Sequence, residues 1–193
     1  MSDLPLLDAP VAQLDRVPPS EGGGCPFEPG REQTPDETYM RRAMRLAHDA
    51  ASAGDVPIGA VLVVGDRTFE AHNEKERRPD PTAHAEMLVI REAARELGLW
   101  RLGGTLYVTK EPCSMCAGAI AAGRIARLVY GCADPKGGAA GSVIDVIGSR
   151  AVNHRVAVTA GVLDAETAAQ LRDYFRSKRA ARSGPEHDAR KSG

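Results

Sequence analysis

Aromatic side chains are scarce in this 193-residue sequence: three Phe, one Trp and four Tyr make up only 4% of it. A core must therefore be filled by Ala, Val, Leu and Ile, which a hydrophobic fraction of 42% supplies. No apolar run approaches the roughly 18 residues that cross a bilayer, so no membrane-spanning helix is expected. The opening residues lack the basic region and apolar stretch of a secretory signal, and their acids argue against an organellar transit peptide. A cytoplasmic protein is the expectation. Cysteine is limited to Cys25, Cys113, Cys116 and Cys132, which is no disulfide scaffold. In a reducing compartment, Cys113 and Cys116 read as a metal or redox pair, and Cys25 and Cys132 as inert thiols. An excess of one charge is also missing. The net charge of −1 does not advertise a polyanionic partner.

The distribution of charge says more than its sum. Residues 1–37 carry eight acids and only Arg16 and Arg31 as bases. Residues 172–191 carry seven bases against Asp173, Glu186 and Asp188. That basic stretch fits either an ordinary solvated helix or a surface for an anion. Residues 1–33 are rich in Pro, Gly and acid without periodicity, and read as a disordered extension. Residues 34–182 read as one folded domain, and 183–193 as a flexible tail.

Within that domain, Thr34, Pro35 and Glu37 form the signature of a helix start. Met40, Ala43, Met44, Ala47, Ala50 and Ala51 give the helix an apolar face, and Gly54 stops it. Strands are predicted over 58–64, 67–72, 105–109, 127–130 and 156–160. A second helix is predicted after a Thr82 cap to Leu97, a third over Cys113 to Ala122, and a last one from Asp164. Alternating strands and helices imply an α/β sheet covered on both faces. The 131–155 connection is long enough for the last two strands to lie parallel.

Two segments carry chemistry: Pro81-Thr82-Ala83-His84-Ala85-Glu86 and Glu111-Pro112-Cys113-Ser114-Met115-Cys116. Each opens a helix. The first turn of a helix favours thiolates at Cys113 and Cys116, and their spacing lets them converge on one ion. His84 makes a third ligand. Structural zinc sites close with four protein ligands, whereas catalytic ones keep a position for water. Glu86 follows His84 by two residues and points beside the ion, where a carboxylate can move a proton between water and a substrate nitrogen. The joint pattern His-x-Glu followed by Pro-Cys-x-x-Cys is the signature of zinc nucleobase deaminases.

Beyond that signature, the chain resembles the bacterial tRNA-specific adenosine deaminases over nearly all of residues 36–180. The resemblance rests on Asp55 to Val63, Asp80 to Glu86, Thr105 to Thr109, Glu111 to Ala119, Gly138 to Ser142, Asn153 to Val156 and Tyr174 to Arg179. It implies a three-layer α/β/α, cytidine-deaminase-like fold with a mixed five-stranded sheet, a homodimer with one Zn2+ per subunit, and conversion of adenosine to inosine at the wobble position of the tRNA anticodon. By the same resemblance, Asn73 contacts the target base and Asp134 lies near its sugar and backbone. Lys136 meets phosphate, and Tyr174, Phe175, Arg176, Lys178 and Arg179 approach the anticodon loop. Plainer roles stay open: a turn residue at Asn73, a loop cap at Asp134, a solvated Lys136, and Phe175 in the core.

Three departures from the family pattern fall near the substrate: Lys110 in place of Leu, Ala133 in place of a base, and Pro135. A deaminase of free guanine or cytosine keeps every zinc residue and is the runner-up. A nucleic-acid-binding module with a structural zinc is the third reading.

Overall fold

The computed structural model describes residues 33–182. The expectations for the extension before residue 33, the tail from 183, Cys25, Arg190 and Lys191 lie outside the described residues. Helix α1 (Pro35–Ser52) opens on a complete capping box. The Thr34 hydroxyl accepts the Glu37 amide at 3.2 Å, and the Thr34 amide donates to the Glu37 carboxylate at 3.1 Å. Two amides without a partner inside the helix are thereby satisfied. Strands β1 (Gly59–Val64) and β2 (Arg67–His72) form a hairpin. Its two-residue turn uses Gly65 at φ +59°, a conformation glycine adopts without strain. Then follow α2 (Ala85–Leu97), β3 (Thr105–Lys110), α3 (Ser114–Ala122), β4 (Arg127–Cys132), β5 (Ala157–Thr159) and α4 (Asp164–Arg182).

The five strands run in the order β2-β1-β3-β4-β5. β1 is antiparallel to β2 and β3, while β3, β4 and β5 are mutually parallel, so the sheet is mixed, as expected. Alternation along the strands sends side chains to opposite faces. Ala60, Leu62, Leu106, Val108, Leu128 and Tyr130 bury against Val89 and Ala93 of α2 and Ala117 and Ile120 of α3. Val61, Tyr107 and Val129 face the other way, against Met40 and Ala43 of α1, with Val162 and Leu163 just before α4. A fully buried side chain such as Ile120 or Met40 contributes about 2 kcal/mol by leaving water. On the second face α1 lies so close that a Cβ on Gly59 would run into the Ala43 carbonyl oxygen and the Ala47 amide. β2 is an outer strand, flanked by ion pairs from Arg42 of α1 to Glu70 and from Arg67 to Glu96 of α2.

The structure moves some boundaries. α2 begins at Ala85 rather than after a Thr82 cap: the Thr82 hydroxyl donates to Asp80 at 2.8 Å, and His84 holds the cap position. The buried side chain of Asn73 accepts the Ala85 amide instead, at 2.9 Å. α3 begins at Ser114, with Cys113 as the cap position. β5 keeps only three residues and its pairing to β4. The link between those strands forms no helix. It is a turn-rich segment that buries Ala139 and Ile147 in the α2/α3 core.

Candidate active site

The starts of α2 and α3 meet. His84 is the residue before α2, Cys113 the residue before α3, and Cys116 lies in the first turn of α3. His84 Nδ1 stands 3.7 Å from Cys113 Sγ and 3.5 Å from Cys116 Sγ. One donor atom from each residue fits within 4.8 Å of the others, enough to hold one metal ion. A tetrahedral zinc bonded at about 2.0 Å to nitrogen and 2.3 Å to sulfur sets its nitrogen and sulfur roughly 3.5 Å apart. The trio therefore fits a shared ion without rearrangement.

Without metal, the two thiols divide one proton. A hydrogen bond from Cys116, then one with His84, draws Cys113 down to about 3. The Cys116 thiol, which supplies that bond and is buried, is pushed up. The hydrogen bond with Cys113 also raises His84, against the opposing effect of burial. A bound dication removes the remaining protons, because zinc takes thiolate and neutral imidazole.

Glu86 occupies the first turn of α2 and is only 3% exposed. Its Oε2 has no hydrogen-bond partner among the described residues, and burial raises its pKa. A buried carboxylate oxygen without a partner is costly, and it is the group a general base needs. Asn73 sits beside the α2 start, 2% exposed. Its Oδ1 accepts the Ala85 amide and keeps a second lone pair, so that oxygen and the NH2 group can both meet a purine edge.

A cleft of about 760 Å³ opens where α4 crosses the ends of β3 and β4, lined by Lys110, Asp134, Lys136, Phe175, Arg176 and neighbours. Phe175 is 43% exposed and so does not belong to the core. Lys110 binds Asp134 at 2.5 Å. Burial works against the charged form of Asp134, but the Lys110 ammonium and the Lys136 amide hold its carboxyl below the usual range. Arg176 pairs with Asp173 at 3.1 Å on the surface. Tyr174 and Lys178 turn elsewhere: both donate to the Gly54 carbonyl, at 2.8 and 3.3 Å, and line a separate hollow beside α1. The basic and aromatic residues of α4 thus divide between two faces. Cys132 is buried, with its thiol on the Thr109 carbonyl.

Asp55 and Glu111 are further buried carboxylates, with no role predicted from the sequence. Asp55 accepts the amides of Val56 and Glu76, joining two loops. Glu111 accepts three backbone amides from the 134–142 loop. No local pattern announces either, because Glu76 and the 134–142 amides come from distant parts of the chain.

A His/Cys/Cys cluster at two helix starts, a buried carboxylate beside it and a mixed five-stranded sheet beneath define the nucleobase-deaminase class. The MafB19-like deaminase family matches residues 34–179. The tRNA-specific adenosine deaminase of Bacillus subtilis is 48% identical over 148 residues, which are 76% of this chain and 92% of the relative. The chain belongs to this family of tRNA-specific adenosine deaminases. The Haemophilus influenzae relative of that name is 45% identical over 75% of this chain and 85% of its own. A solved structure from studies of A-to-I editing by tRNA:A34 deaminases at the wobble position of transfer RNA superposes with a TM-score of 0.67. It is 44% identical and covers 69% of this chain and 99% of that one. A guanine deaminase from Nitrosomonas europaea, 23% identical over 77% of this chain and 88% of its own, shares the fold at a TM-score of 0.58.

Proposed function

We propose that the protein is a zinc-dependent enzyme that converts adenosine to inosine at the wobble position of a tRNA anticodon. One observation carries the chemistry: the buried Glu86 carboxylate, its Oε2 without a hydrogen-bond partner among the described residues, beside three converging metal donors. His84, Cys113 and Cys116 would hold a zinc ion, whose Lewis acidity would lower the pKa of water toward neutrality. Glu86 takes a proton from the attacking water and passes it to the adjacent ring nitrogen. A second proton delivered by the same carboxyl lets ammonia leave, so water and the aminopurine become the oxopurine and ammonia. Burial raises the affinity of Glu86 for a proton, as a group that both accepts and donates requires. Asn73 holds the α2 start in place and offers its NH2 to the base.

The substrate reading draws on the names of the relatives and on the cleft, where Lys110, Lys136 and Arg176 flank the exposed Phe175. Single-stranded RNA loops are held by stacking on aromatic rings and by neutralised phosphates. Asp134, already paired with Lys110, faces the same cleft. We further infer a homodimer with one zinc per subunit. Exposed Leu99, Trp100, Val143 and Ile144 supply apolar surface for association to cover. A transfer RNA substrate supports a cytoplasmic location.

Incubation with a tRNA bearing wobble adenosine, followed by sequencing of the product, tests the reading. Inosine is expected at that position from the wild type and not from Glu86→Ala. No inosine above that control overturns it, and ammonia released from free guanine or cytosine without tRNA turnover replaces it with a free-base deaminase.

A further inference from the structure

Glu111 directly follows β3 and precedes Pro112 and Cys113, so it sits two residues from a proposed metal donor. Its backbone amide donates to the Cys132 carbonyl at 2.8 Å, carrying the β3/β4 register one step past the strand. Its side chain is 2% exposed, and both carboxylate oxygens are used. Oε2 accepts the Asp134 amide at 2.9 Å. Oε1 accepts the amides of Ala140 at 3.0 Å and Ser142 at 3.1 Å. The first and last of these donors are eight residues apart in sequence, so one carboxylate closes the loop between them.

Two further features fasten the loop to the same strand end. The Ala139 amide donates to the Pro112 carbonyl at 2.9 Å. At Gly138 the backbone passes so near the carboxylate that a Cβ there would overlap both Oε2 and Cδ of Glu111. On the outer side the loop presents Asp134 and Lys136 to the basic cleft. On the inner side it buries Ala139 in the core. Charge-assisted hydrogen bonds to a buried carboxylate are among the stronger ones a fold contains, and three on one group fix its surroundings in a single arrangement.

We propose that Glu111 is a positioning residue: it sets the substrate-facing 133–142 loop at a fixed offset from the metal donors of α3. The inference rests on the deaminase reading above and adds a residue that touches neither metal nor base. Glutamine at this position keeps one oxygen for Ala140 and Ser142 but turns an NH2 toward the Asp134 amide, donor against donor. The loop half that carries Asp134 and Lys136 is then released, while Cys113 keeps its place at the helix start.

The test is steady-state kinetics on a tRNA anticodon stem-loop, with zinc content measured on the same samples. Glu111→Gln is expected to raise KM on the order of tenfold or more, far beyond its effect on kcat, with zinc equal to wild type. Gly138→Ala, which crowds the loop off an intact carboxylate, is expected to show the same split and serves if Glu111→Gln does not fold. Loss of zinc, a fall in kcat at constant KM, or unchanged constants in the soluble variants overturns the proposal. A wild type that makes no inosine overturns the deaminase reading and this inference together. A wild type that makes inosine beside an unaltered Glu111→Gln overturns the inference alone.

Discussion

His84 Nδ1 lies 3.5 Å from the Cys116 sulfur, although 32 residues separate them in the chain. The contact exists because α2 follows β2 and α3 follows β3, and these two strands run the same way on either side of β1, so both helices begin at the same end of the sheet. Ligand residues and the proposed proton carrier are therefore separable by mutation. They share a location but not a task.

Glu86→Ala is expected to lower inosine formation by about a hundredfold to ten-thousandfold, the usual contribution of a general acid–base group, with zinc retained. His84→Ala is expected to lose both zinc and activity. Metal analysis beside an inosine assay checks the pair. Equal zinc loss in the two variants would remove the distinction between base and ligand.

The α2 start shows how far the sequence reaches. His84, Glu86, Cys113 and Cys116 were legible because a helix start and a three-residue spacing are local facts. The strands were legible in short runs of β-branched and apolar residues bounded by turn signals, and the parallel β4–β5 pair in the length of the 131–155 connection. Thr82 is not the cap: its hydroxyl turns toward Asp80, and Asn73, twelve residues before Ala85, accepts the first helix amide. Tyr174 was assigned to the RNA face, since nothing in a helical pattern tells which carbonyl its hydroxyl will find. Its partner is Gly54, 120 residues away. Asp55 and Glu111 stayed silent for the same reason: their amide partners are brought close only by the finished fold.

Asp36 receives both arms of Arg127, at 2.8 and 2.7 Å, and the Tyr107 hydroxyl at 3.2 Å. The Arg127 hydrogen bonds hold its carboxyl below the ordinary value of 3.8, against the pull of burial. A carboxyl depressed by folding stabilises the fold above its unfolded pKa, and that stability is lost as pH falls through the folded one. Asp36→Asn is expected to cost about 1 kcal/mol at neutral pH, moderated because water reaches the pair, and less as pH falls through the folded pKa. Urea melts at pH 7 and pH 2.5 check this. A variant equally destabilised at both would show that charge is not the cause.

Gly59→Ala is expected to destabilise by about 2 kcal/mol, the typical cost of overpacking. The new methyl would overlap the α1 backbone and come within 2.8 Å of the Leu46 Cβ, forcing the helix off the sheet. A thermal melt should fall by roughly 4–8 °C for a chain of this size. An unchanged melt would mean that α1 is not seated on β1 as described.

Arg176→Ala is expected to weaken tRNA binding several-fold and to flatten the log–log salt dependence by about 0.7, one phosphate contact on a single strand. Zinc content should not move. Affinity titrations at several salt concentrations decide it. An unchanged slope would return Arg176 to a surface partner of Asp173 alone.

The ion pairs beside β2 bear on how these molecules behave in company. The outermost strand of a sheet carries bare amides and carbonyls that invite a strand from another copy. Here Arg42–Glu70 and Arg67–Glu96 put charge from a helix on each side of that border. A stranger docking there would have to strip water from those charges before gaining its first hydrogen bond. The same salt links that hold two helices to the sheet thus help keep concentrated protein from joining edge to edge.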